Sequence, residues 1–280
     1  MIQASSLHSH LEPWMTTSWK HPLLFVLGAV GCVLLYLFLL NFPPTSLRGP
    51  TAGLFPVIVL ATTTSWLTSR ALRSDGLPWS TLGLGAGQRK TARFVHGLMA
   101  GAILAGLWMV MVTVATSASW RPNPTFDVSA LVLASLFHFF NNVGEELVYR
   151  GYLFVRLTAC WGAPATVVAT SGAFALLHLQ AGIPWLSVLA AVLTAGLVFG
   201  AIFARWRSLP LALGFHVATN VAQDAFGLRP GAASLLQATY PTGAADKGTS
   251  ILAGIALLNV IVATGLLFWP RRQPGATDRR

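Results

Sequence analysis

Two adjacent carboxylates stand in a strongly apolar part of this chain, in the run Asn141-Asn142-Val143-Gly144-Glu145-Glu146-Leu147-Val148-Tyr149-Arg150-Gly151. On insertion scales a charge at mid-membrane costs roughly 2.5–3.5 kcal/mol, so two side by side demand compensation. Arg150 follows Glu146 by one helical turn and lies on the same face. The two are expected to form an internal ion pair. Glu145 points about 100° away and gains nothing from that partner. A carboxylate kept there without a structural counter-ion is a candidate for chemistry.

The other polar groups within apolar runs are few and fall between 138 and 224. His138, Asn141, Asn142 and Glu145 make one helical stripe. Phe174 and His178 are a turn apart, as are His216 and Asn220. Facing lipid these groups would be unsatisfied, so they are expected to face one another or a wet cavity. The set fits hydrolysis. A carboxylate beside an imidazole can take a proton from water and pass it to a leaving amine, a role for Glu145 with His178. A second imidazole and a carboxamide can donate to the oxyanion of a tetrahedral intermediate, a role for His216 and Asn220. No GxSxG run is present and neither cysteine has a histidine at a useful spacing, so water is the expected nucleophile. A zinc version held by Glu145, His178 and His216 stays open, because two histidines and a carboxylate are a common catalytic set. HExxH is absent, and metal-free chemistry is the favoured reading. His138, Asn141 and Asn142 are read as supporting partners, and Asp224, one turn after Asn220, as a residue at a wet helix end, with orientation of Asn220 as the alternative.

Composition says what must position these groups. The 280 residues are 54% hydrophobic and 9% charged, where soluble domains carry about 25% charged residues. The mean hydropathy is +0.65. An all-α, multi-pass transmembrane bundle of about eight spans is expected, at 22–42, 52–69, 93–117, 128–148, 163–179, 185–204, 209–226 and 250–269. Ser208 before Pro210 reads as a cap and first turn. Residues 70–92 and 228–249 are read as loops, the first of them a surface loop. The domain reading is an N-terminal cytoplasmic segment (1–21), one membrane domain (22–270) and a basic tail (271–280). No cleavable signal peptide is seen, and the first span is expected to serve as an uncleaved one. The net charge is +10, but the basic residues are scattered between spans, which argues against nucleic acid and for orientation in a bilayer. With the N-terminus inside, 14 of the 18 Lys and Arg fall on the cytoplasmic side, leaving Arg48, Arg121, Arg229 and Lys247 outside. Both termini are therefore expected in the cytoplasm. A ladder of straight helices then holds Glu145 and His178 near opposite faces of the membrane, so some helix must tilt, break or enter partway.

Three motifs carry a resemblance. Glu145-Glu146-x-x-x-Arg150, Phe174-x-x-x-His178 and His216-x-x-x-Asn220 resemble, in order and spacing, those of the CPBP intramembrane proteases. This is the CAAX-protease and bacteriocin-processing (Abi) family, which includes the type II CAAX prenyl endopeptidases. The resemblance covers about 125–225. It implies an eight-helix type of membrane bundle, proteolysis in or at the membrane, and a protein or peptide substrate that is lipidated in some members. It also implies Glu145 and His178 as the water-activating pair, His216 and Asn220 as oxyanion residues, and Glu146 with Arg150 as a supporting pair, with Phe174 as the aromatic of the second motif. Members are often labelled metalloproteases, which competes with a glutamate-based mechanism. A non-catalytic scaffold or immunity protein of the same fold is the main alternative. A proton-coupled transporter is the second, with no inverted repeat in its favour.

Overall fold

The computed structural model describes residues 19–42, 50–180, 182–229, 231–243 and 247–270. Most of the expected N-terminal segment (1–18) and the basic tail (271–280) lie outside the described residues. Among the described residues eight main helices follow in order: α1 (Lys20–Asn41), α2 (Leu54–Ser74), α3 (Lys90–Thr116), α4 (Val128–Arg150), α5 (Tyr152–Leu179), α6 (Trp185–Trp206), α7 (Leu209–Ala225) and α8 (Gly248–Phe268). A short antiparallel ribbon pairs β1 (Ser119–Pro122) with β2 (Leu236–Thr239). The protein is an all-α, multi-pass helical bundle. Among the described residues five helical stretches are long and apolar enough to cross a bilayer, with α4 and α5 counted as one stretch, Val128–Leu179. α2 and α7 are not among the five. They carry the Thr/Ser run and the His/Asn stripe that lower their hydropathy.

Backbone satisfaction explains how such polar helices survive. In α2 the hydroxyls of Thr62, Thr63, Thr64 and Ser65 each donate to the carbonyl four residues back, at 2.6–2.8 Å. The polar atoms are thereby consumed within the helix. α7 begins as its sequence predicts: Ser208 Oγ accepts from the Leu211 amide at 3.4 Å, with Pro210 in the first turn. Asp127 caps α4, accepting from the Ser129 hydroxyl and amide at 2.8 Å. Those two donors, hydroxyl first, hold its carboxyl below the usual carboxylate range.

α7 occupies the middle of the bundle, packed on α3, α4 and α6. Association between helices in lipid rests on close packing and polar contacts rather than on the hydrophobic effect. Both appear here. On α3 Gly97 meets Gly214 of α7 and, a turn on, Gly101 meets Phe215, so closely that a Cβ at any of the three glycines would strike the opposite backbone. Asn259 on α8 accepts from Trp108 Nε1 on α3 at 3.3 Å and donates to Thr194 Oγ1 on α6 at 2.9 Å, tying three helices together.

Three expectations need correcting. Residues 70–92 are not a plain surface loop. Leu82 is fully buried, and the Asp75 carboxylate is 2% exposed. Asp75 accepts from Tyr152 Oη at 2.7 Å, contacts His21 Nδ1 at 2.6 Å and lies 3.3 Å from Arg156 Nε, joining α1, α2 and α5. Residues 228–249 are not only loop, since β2 lies within them and closes over α7's end. Finally, the stretch 149–162 between the fourth and fifth expected spans is mostly helix, interrupted only at Gly151 and Gly162. α4 runs on to Arg150, and after a break at Gly151 helix resumes at Tyr152. The turn comes at Gly162, whose φ of 74° and ψ of 169° reach a region open essentially to glycine alone.

Candidate active site

The turn at Gly162 brings Glu145 and His178 to one level. Glu145 lies 17 residues before it and His178 16 after. The limbs on either side run antiparallel, and the edge contact of Tyr149 with Phe174, ring centroids 5.3 Å apart, confirms that register. Straight spans joined by a loop at 149–162 would have separated the two groups. A helical hairpin folded at one glycine does not.

α4 and α7 form a second antiparallel pair, and their polar stripes match rung by rung. At the inner rung His216 Nδ1 donates to Glu146 Oε1 at 3.0 Å, while its Nε2 lies 3.6 Å from Glu145 Oε2. One turn along, Asn220 Nδ2 donates to Asn142 Oδ1 at 3.2 Å. One turn further, His138 Nε2 and Asp224 Oδ2 are 2.6 Å apart. Each four-residue step down α4 meets a four-residue step up α7, so the helical period itself spaces the rungs.

Glu146 and Arg150 are both fully buried. Arg150 Nη1 donates to Glu146 Oε1 at 3.2 Å and Nη2 to the Gly196 carbonyl of α6 at 3.1 Å. Its guanidinium also lies over the rings of Phe174, Phe199 and Tyr149, 5.0–5.7 Å from their centroids. A buried charge pair offsets its desolvation only when such further partners surround it. The expected ion pair is present.

The imidazoles are oriented by what their other nitrogens do. His178 Nδ1 lies 2.8 Å from the Phe174 carbonyl, which can only accept. Nδ1 therefore carries a proton committed to that carbonyl, which leaves Nε2 as the ring nitrogen available to the cavity. His216, with Nδ1–H given to Glu146, stacks on Phe199 at 4.1 Å between centroids. Phe174 packs on both histidines, 4.4 Å from His178 and 5.9 Å from His216. This accounts for the aromatic one turn before His178.

Glu145, His178, His216 and Asn220 all line one cavity of about 420 Å³, together with His138, Asn141, Phe174, Phe199 and Arg229. The Glu145 side chain is 19% exposed, so it faces open space as a base must. Its 3.6 Å neighbour is His216, where the sequence paired it with His178. The three side chains offered as a metal set share the cavity but do not close on a common point. Among the described residues no group of three His, Cys, Asp or Glu stands in a metal-holding arrangement.

Two participants escaped the sequence reading. Arg229, counted there as an outside loop charge, reaches the cavity and donates from Nη2 to Asn220 Oδ1 at 2.8 Å and from Nη1 to Asp224 Oδ1 at 3.3 Å. Its signal was its place five residues after Asp224, beyond the turn glycine Gly227. Asp224 is not simply wet: its side chain is 14% exposed and holds both His138 and Arg229. Phe199 carried no signal, being one of 16 phenylalanines.

Fold and site together define an integral membrane helical protein with a polar, acid–base cavity walled off by apolar helices. Residues 127–222 match the family model of the type II CAAX prenyl endopeptidases, Rce1-like. The resemblance carried by the three motifs is thus shown over the segment that builds α4, α5, α6 and most of α7, and it supports a CAAX-protease-like membrane endopeptidase. No curated protein and no solved structure matches the chain.

Proposed function

We propose that this protein is an intramembrane endopeptidase that hydrolyses a peptide bond with water activated by Glu145. The observation that carries the reading is the convergence of Glu145, His178, His216 and Asn220, from three helices, on one cavity. Water sits between the Glu145 carboxylate and His178 Nε2. Glu145 takes one proton, and the hydroxide so formed attacks the carbonyl carbon. The carbonyl π pair moves to oxygen, where Asn220 Nδ2–H and the Nε2–H of protonated His216 receive it. Glu146 holds the other side of the ring through Nδ1. Collapse of the intermediate breaks the C–N bond, and Glu145 returns its proton to the leaving amine. No metal takes part in these steps.

The catalytic core in this reading is about 125–225, and both termini face the cytoplasm. The substrate is a protein or peptide that reaches the cavity from within the bilayer, and a lipidated tail suits that route. The test is a comparison of membrane proteomes from cells carrying the wild type and Glu145→Gln. New peptide termini should depend on the wild type and vanish in the variant. Identical termini in both would sink the assignment.

A further inference from the structure

Asn220 presents a donor to the cavity only if its carboxamide is held one way round. The amide is nearly symmetric in shape, and a half-turn about its last bond would offer oxygen instead, which repels an oxyanion. What sets the orientation lies outside the three motifs. A guanidinium has donors and no acceptor, so Arg229 Nη2 at 2.8 Å requires oxygen at that end of Asn220. The Asn142 carboxamide at 3.2 Å accepts from the nitrogen end. One N–H of Nδ2 is used there and the second remains for the cavity.

Arg229 is in turn fixed. Asp224 Oδ1 accepts from its Nη1 at 3.3 Å, and the other Asp224 oxygen is held 2.6 Å from His138 Nε2 on α4. The backbone around it is clamped as well. The Arg229 amide donates to the Gln223 carbonyl at 3.1 Å, and Ser234 Oγ donates to the Arg229 carbonyl at 3.0 Å. Asn123 Nδ2 spans from the β1 side to the Gly231 and Ser234 carbonyls at 3.0 and 2.8 Å. The cap over the C-terminal end of α7 thus holds the Arg229 backbone on both sides.

We propose that Arg229, braced by Asp224 and His138, is a positioning residue that locks the Asn220 carboxamide with its N–H toward the reacting carbonyl. The inference rests on the proteolytic reading above. It separates this chain's cap from mere cover, and it makes activity depend on residues beyond the helical motifs.

A double-substitution cycle tests it, reading the rate at which the wild-type-dependent termini appear in isolated membranes. Arg229→Ala lowers the rate about 10- to 100-fold, a fraction of what loss of an oxyanion donor costs. Asn220→Ala lowers it further, and adding Arg229→Ala to that background changes nothing more, because the group it positioned is gone. Arg229→Lys, which keeps a charged donor for the Asn220 oxygen, recovers most of the rate. Thermal melting in detergent is followed for every variant, and the half-exposed Arg229 position should leave it unmoved. Additive losses in the double variant, or full activity in Arg229→Ala, would overturn the inference while Glu145→Gln stays inactive. An active Glu145→Gln would instead remove the proteolytic reading beneath it.

Discussion

Glu146 is sealed at 0% exposure between Arg150 and His216, whereas Glu145 keeps 19% of its side chain open to the cavity. Substitution should therefore separate the neighbours. Glu146→Gln leaves the Arg150 guanidinium buried without its counter-charge, which costs about 3–5 kcal/mol in comparable buried pairs. The expected result is a lower melting temperature in detergent, with activity lost alongside. Glu145→Gln keeps the shape and weakens only the 3.6 Å, cavity-facing contact with His216, so melting should shift far less than in Glu146→Gln while the rate falls about 10²–10⁴-fold, the usual worth of a general base. Thermal melts and cleavage assays on both variants decide it, and a reversed pattern would exchange the two roles. What could be read beforehand divides along the same line. The Glu146–Arg150 pair is a contact within one helical turn, so spacing alone predicted it. His216 between the two glutamates depends on the α4–α7 register, and Arg229 depends on how the cap folds. Neither is a local property of the chain.

Helices were legible where apolar runs are long, and their ends were legible where caps are chemical, as at Ser208. The helix over 152–161 was not, because Arg156 and Thr158 make it read as a connection, although the next span was expected to start at 163, directly after Gly162. That residue should be sensitive. Gly162→Ala places a Cβ at φ 74° and ψ 169°, a conformation that costs about 1–3 kcal/mol for a non-glycine residue. The hairpin must reset, and His178 moves relative to Glu145. Activity should fall more than stability, since a displacement near 1 Å can cost about 10²-fold in rate. A second element-level test lies at the α3–α7 contact. Gly214→Ala adds a methyl where the Phe94 carbonyl already stands. Neither backbone can step aside cheaply, so α7 must lift away, at the roughly 1–3 kcal/mol of an overpacked core. Because α7 carries both His216 and Asn220, the lift should also slow cleavage. Alanine at Gly106, which faces open space on α3, is the matched control and should change neither melting nor rate.

Across the whole molecule the site is held between two ends of opposite character. The ribbon of β1 and β2 and the cap around Arg229 close the end where α4 begins. The Gly162 turn and the Asp75 cluster of His21, Tyr152 and Arg156 lie at the other. The charge distribution along the chain predicts which end faces the cytoplasm. With Arg156, Arg205 and Arg207 inside, the Gly162 turn is predicted on the cytoplasmic face and the ribbon on the opposite one. The chain carries its own reporter, since Cys160 is exposed two residues before the turn and Cys32 is less so. In a Cys32→Ser background, a membrane-impermeant maleimide should modify Cys160 in inside-out vesicles and spare it in right-side-out ones. A cysteine placed at the exposed Gln237 of β2, with Cys160 replaced by serine, should give the opposite pattern. Labelling of both from one side would contradict the separation of the two ends. An exchange of the two patterns would invert the orientation and place the Arg229 cap on the cytoplasmic face.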